Sequence, residues 1–157
     1  NGAEYSGFFG SIINPGNSNN SQWTAGVTSD GASWGTPPFA QAPGLPPSNT
    51  WTHFVATFSL SQGSYSLYIN GVVAASAPLT GPIVYSAAAV PRVGGEVGGS
   101  YFRGKFGEIR IWAAALSANE VQARYQAGAP AYGIMVPSPA LTVTKPLALR
   151  LVATPCP

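Results

Sequence analysis

Five carboxylates and one histidine are the residues from which this sequence could build an acid pair or a histidine-based site, and one cysteine adds a thiol. The acids, Glu4, Asp30, Glu96, Glu108 and Glu120, are dispersed along the chain. Cleaving a glycosidic bond generally takes two carboxyl groups flanking it, and on a strand this means acids at alternate positions of one face. Glu108 has Phe106 and Arg110 at those positions. That excludes this route to catalysis and makes Glu108 a surface partner for Arg110 or Arg124. His53 is the sole imidazole, so neither a multi-histidine metal centre nor a histidine-based triad can be assembled around it. It reads as a packed or hydrogen-bonded strand residue, and no catalytic residue is assigned. The chain is not expected to be an enzyme.

What remains is chemistry that holds rather than cuts. Trp23 and Trp34 flank polar, glycine-rich turns, where a flat indole can stack on the apolar face of a sugar while nearby Asn and Asp side chains take its hydroxyls. The alternative reading packs both rings under a proline-rich loop. The candidate ligand contacts are Asn17, Asn19, Trp23, Asp30, Trp34 and Tyr101, all but Trp23 on loops expected over residues 14–20, 30–34 and 98–101. Asn19-Asn20-Ser21 is also an N-glycosylation sequon, which makes Asn19 a glycosylation candidate on a secretory route. Trp51 and Trp112 lie inside strand patterns and are expected in the core.

The elements that must carry these residues are strands. Gly and Pro number 19 and 15 in 157 residues, and one segment alone has a helical signature, which points to an all-β chain of one domain plus a tail. The clearest stretch runs over residues 51–76 as a three-stranded meander. Residues 51–60 alternate Thr52, Phe54, Ala56 and Phe58 against Trp51, His53, Val55 and Thr57, and residues 61–64 supply a loop. The next strand puts Tyr65, Leu67 and Ile69 on one face. Asn70-Gly71 then predicts a type I′ hairpin, because both central residues of that turn need positive φ. Val72 to Ala75 form the returning strand.

Earlier in the chain, apolar strands are expected over residues 5–13 and 21–28, separated by the break at 14–20. The prolines of residues 32–49 suit a long loop or an edge excursion and exclude a central strand. Short strands are expected at 83–85 and 90–95. The glycines of residues 94–99 lack the Gly-Lys-Ser/Thr ending of a phosphate loop and read as bends at a sheet edge. Residues 102–112 alternate Phe106, Glu108, Arg110 and Trp112 with Lys105, Gly107, Ile109 and Ile111, predicting a strand with one buried aliphatic face. A short helix near residues 117–127 has Ser117 as N-cap, Glu120 completing a capping box, Leu116 stapled onto Val121, and Gly128 as its stop. Residues 129–157 form a proline-rich tail, either closing strands or a linker to a further module.

Charged residues make up 8% of the chain, against roughly a quarter in an ordinary soluble domain. That balance argues against a cytosolic enzyme and suits an extracellular or assembly-bound surface. The seven cations form no run that could track a phosphate backbone, so nucleic acid is not an expected partner. No segment has the apolar length of a membrane span. Cys156 could pair with another chain or with residues outside this segment, or remain a free thiol. Both ends read as cut from something longer.

The order of motifs, Trp51-Thr52-His53-Phe54-Val55-Ala56, Leu67-Tyr68-Ile69-Asn70-Gly71, Arg92-Val93-Gly94-Gly95, the run from Gly104 to Trp112, and Ala115 to Val121, resembles the laminin G-like, concanavalin A-like jelly-roll family. The resemblance covers about residues 8–128. It implies two antiparallel sheets packed face to face, over residues 1–128, with opening strands that are short or missing. It also implies a non-catalytic extracellular or cell-surface module that binds glycans or proteins through rim loops. A structural building block of a surface filament, appendage or wall, with self-assembly as its partner, is the alternative. Relatives often bind calcium at the rim, which here would use Asp30 if any carboxylate, since calcium needs six to eight oxygen ligands and few acids are available. No cofactor is otherwise expected. The position before Glu108, often aspartate in relatives, is Gly107.

Overall fold

Alternating apolar residues become two antiparallel three-stranded sheets with one helix laid against the second. The computed structural model describes residues 8–13, 22–27, 39–44, 47–79, 93–94 and 102–136, the first two stretches as backbone alone. The first sheet holds β1 (Phe8–Ile13), β2 (Gln22–Val27) and β3 (Ala40–Pro43) in the order β1-β2-β3. Pro43 ends β3, which lies at an edge of this sheet, where a missing N–H costs least. The second sheet is the expected meander: β4 (Phe54–Ser59), β5 (Ser64–Ile69) and β6 (Val72–Pro78).

Period-2 alternation sorts β4 and β5 into two faces. Tyr65 and Leu67 point to one side and form a buried cluster with Ala77 of β6 and with Ala40 and Ala42 of β3. Phe54, Ala56, Phe58 and Ile69 pack against that cluster. Small side chains on β3 thus meet large ones on β5, the complementarity that close packing between two layers requires. Val55 and Tyr68 point to the other side and bury Val121 of the helix.

Asn70 (φ 51°) and Gly71 (φ 80°) adopt the left-handed backbone that the hairpin demands, and Ile69 pairs with Val72 across the turn. Between Leu67 and Tyr68 the register with β6 shifts: Leu67 faces Ala75 and Tyr68 faces Val73, so Ala74 is the extra residue of a bulge. β4 begins at Phe54 rather than at Trp51. Phe54 already pairs with Ile69, and the next residue of the partner strand belongs to the turn.

The helix, α1 (Ala118–Gly128), begins as its signals require. Ser117 Oγ accepts from Glu120 N at 3.3 Å, while Glu120 Oε2 accepts from Ser117 N at 2.7 Å. Leu116 packs with Val121 in the same cluster. α1 ends at Gly128 as expected, but not through a left-handed glycine. Gly128 stays right-handed, and the chain continues into a 3-10 turn, Ala129–Tyr132, until Gly133 turns left-handed at φ 71°. Pro130 explains the change of helix type: without an N–H it cannot extend the α-helical ladder.

Two further expectations are corrected. Residues 102–112 form no strand, and their aliphatic face is not buried: Ile109 is 54% and Ile111 89% exposed. An alternating pattern becomes a strand only where a ladder partner lies alongside, and no described strand does. Trp51 is not a core residue either. It is 37% exposed and lies against Tyr132, with ring centroids 4.8 Å apart. Trp112 is half-buried beneath the Arg124 guanidinium, 4.9 Å from its ring centroid.

Candidate functional site

Of the side chains expected to carry chemistry, the described ones are occupied in structural contacts. Glu108 forms an ion pair with Arg110, both half-exposed. A β-carbon at Gly107 would lie 2.5 Å from the Tyr132 ring, so no aspartate fits this position beside Glu108 without displacing Tyr132. Glu120 accepts from both the backbone N–H and the hydroxyl of Ser117, each at 2.7 Å. Those hydrogen bonds, first the hydroxyl and then the N–H, hold its carboxyl below the usual range, with Arg124 adding to the effect.

His53 is tied through its backbone. Its N–H donates to Asn70 Oδ1 at 3.0 Å, and its carbonyl accepts from Asn70 N at 2.8 Å. Its ring lies 5.7 Å from that of Tyr125, and its Nδ1 is buried without a hydrogen-bond partner among the described residues. Burial pulls its pKa below 6.5. The packed histidine read from the sequence is the one found. Among the described residues, no three His, Cys, Asp or Glu side chains gather where a metal could sit. No described helix is long and apolar enough to cross a membrane.

The candidate contacts Asn17, Asn19, Asp30, Trp34 and Tyr101 lie outside the described residues, as do Cys156 and the sequon. Trp23 is placed by its backbone within β2, between Ile12 on β1 and Ala42 on β3. It therefore sits in the middle strand of the described sheet rather than in a rim loop.

One concavity was not read from the sequence. On the helix-bearing face of the second sheet, Thr57 and Ser59 of β4 stand opposite Ser66 and Ser64 of β5, with Tyr68 at the inner end. Residues 114–118 wall one side of an open cleft of about 500 Å³. This falls within the range of roughly 300–1,000 Å³ typical of small-molecule sites. The two faces of β4 and β5 were legible in their alternation. The wall was not, because it depends on where the helix docks.

Comparison with known proteins gives a family. A crystal structure of an S-layer domain-containing protein from Clostridium thermocellum overlaps with 76% of this chain at 17% identity and a TM-score of 0.42. The chain spans 63% of that structure's length, and an overlap at this level carries no argument about function. No curated protein matches the sequence. The model of the Laminin G 3 family, described as the concanavalin A-like lectin/glucanases superfamily, matches residues 4–122, which take in both sheets and the start of α1. With that match over most of its length, the chain belongs to this laminin G-like family of the concanavalin A-like lectin/glucanase superfamily.

Proposed function

We propose that this chain is a non-catalytic binding module of an extracellular or cell-surface protein, built as an antiparallel jelly-roll sandwich whose rim loops take a glycan or protein ligand. The observation that carries the reading is the engagement of both described carboxylates, Glu108 with Arg110 and Glu120 with Ser117. An acid pair able to cleave a sugar would have to come from elsewhere, and the remaining acids are far apart in sequence. Family membership supports the lectin-like part of the proposal. Asn17, Asn19, Trp23, Asp30, Trp34 and Tyr101 are the proposed contacts. Asp30 is the proposed carboxylate of any calcium site there. The module's end is proposed to lie past Gly128, because Ala129 is buried and Tyr132 packs on Trp51. A glycan array and a pull-down with the purified chain test the proposal, with and without a chelator. Silence in both would remove it.

A second reading, a building block of a surface assembly, is favoured by one feature. Phe102, Phe106, Ile109 and Ile111 are all exposed in a chain with few charges. Sedimentation as a monomer at every concentration would remove this reading.

A further inference from the structure

We propose that the cleft between β4, β5 and residues 114–118 is a binding site for a neutral, polyhydroxylated ligand, a saccharide unit. The inference rests on the reading of the chain as a binding module, and places a site away from the rim loops assigned above.

The lining supplies the argument. A solvated sheet face ordinarily mixes hydroxyls with Lys, Arg and Glu, whereas the strand positions here carry Ser and Thr side chains with Tyr68, and the turn between β4 and β5 adds Ser61 and Gln62. Among the described residues no cation lines the cleft, so a phosphate, sulfate or uronate would find no counter-charge on its described walls. The one carboxylate among the described lining residues, Glu120, already accepts two hydrogen bonds from Ser117, so a cationic ligand would have to compete for it.

Hydroxyls in the cleft are positioned before any ligand arrives. Ser66 Oγ lies 2.9 Å from Ser76 Oγ, and Ser59 Oγ lies 3.1 Å from Ser61 Oγ while accepting from Gln62 N at 3.2 Å. Thr57 and Ser64 are half-buried in the same cleft, and their hydroxyls have no partner among the described residues. Each can both donate and accept, which matches the hydroxyl of a sugar. Ala114, Ala115 and Leu116 add an apolar wall suited to the C–H face of a pyranose ring.

The test uses the full chain against an array of neutral and anionic oligosaccharides. The best-bound neutral oligosaccharide is then followed by calorimetry and by amide chemical shifts. The double variant Thr57→Val/Ser64→Ala and the cleft-filling variant Ala115→Trp should each weaken binding about tenfold or more. Ligand-induced shifts should centre on residues 57–68 and 114–120. Unfolding midpoints of both variants near that of the wild type show that the loss belongs to the site. Should either variant unfold early, the shift map alone decides. Binding that survives in both variants, shifts confined to other residues, or preference for anionic saccharides would overturn the cleft assignment while leaving the module's binding role intact. No saccharide bound at all would overturn the cleft, and protein capture in the pull-down would then decide the broader reading.

Discussion

Asn70 and His53 are joined by two hydrogen bonds in opposite directions: His53 N donates to Asn70 Oδ1 at 3.0 Å, and Asn70 N donates to the His53 carbonyl at 2.8 Å. One residue therefore serves the β5–β6 turn and the entry to β4. This fastens the residue just before the strand, where no strand partner is left.

The first prediction follows from that fastening. Asn70→Ala should destabilise the chain by about 1–2 kcal/mol, since it loses a hydrogen bond and forces alanine into positive φ. Asn70→Gly, which keeps the backbone freedom, should cost less. Gly71→Ala should be the most damaging of the three, because its φ is 80° and a β-carbon there would approach the Tyr125 ring to 2.9 Å. Urea midpoints rank the three variants.

Removing the cap on α1 should be measurable without touching the sheets. Ser117→Ala should cost about 1 kcal/mol. Glu120 contributes to stability above its ordinary pKa of 4.5, and that contribution should be lost as pH falls through its lowered folded value. Glu120→Gln should flatten unfolding midpoints between pH 5 and pH 3. An unchanged acid limb in the variant would contradict the capping box.

His53 predicts a second pH window. Its folded pKa lies below 6.5, so the unfolded chain binds the proton more readily. Stability should be full above pH 6.5 and decline as pH falls from there toward the lowered folded value. His53→Phe retains a ring against Tyr125, lacks a group to charge, and should remove this decline. Unfolding midpoints at pH 7.5 and pH 5 check it.

The contact between the sheets yields a contrasting pair. Leu67 is fully buried against β3, and Leu67→Ala should cost about 3 kcal/mol. Tyr65 is 1% exposed and its hydroxyl has no partner among the described residues; burial raises its pKa. Tyr65→Phe should therefore be neutral or stabilising. A large loss in Tyr65→Phe would mean that the hydroxyl has a partner.

Local chemistry was legible in the sequence wherever one residue type has one structural use. Asn70-Gly71 announced its turn, Ser117 and Glu120 their cap, and the alternation of Tyr65, Leu67 and Ile69 their common face. Long-range partners decided the rest. Residues 102–112 carry as clean an alternation as β4, yet lack a described ladder. Trp51 has the composition of a core residue, yet meets Tyr132 at the surface because the 3-10 turn runs past Gly128. The cleft escaped notice for the same reason: Ser and Thr on a strand read as ordinary solvent-facing positions until residues 114–118 are seen beside them. The rim contacts, apart from Trp23 in β2, lie outside the described residues and stand as proposals.

The central claim is that this chain retains a ligand without altering it. Incubating the purified chain with the best-bound oligosaccharide, while following both bound fraction and new reducing ends, addresses that claim most directly. The account predicts saturable, reversible binding with no reducing ends released above the buffer control. Steady release that scales with protein concentration would contradict it.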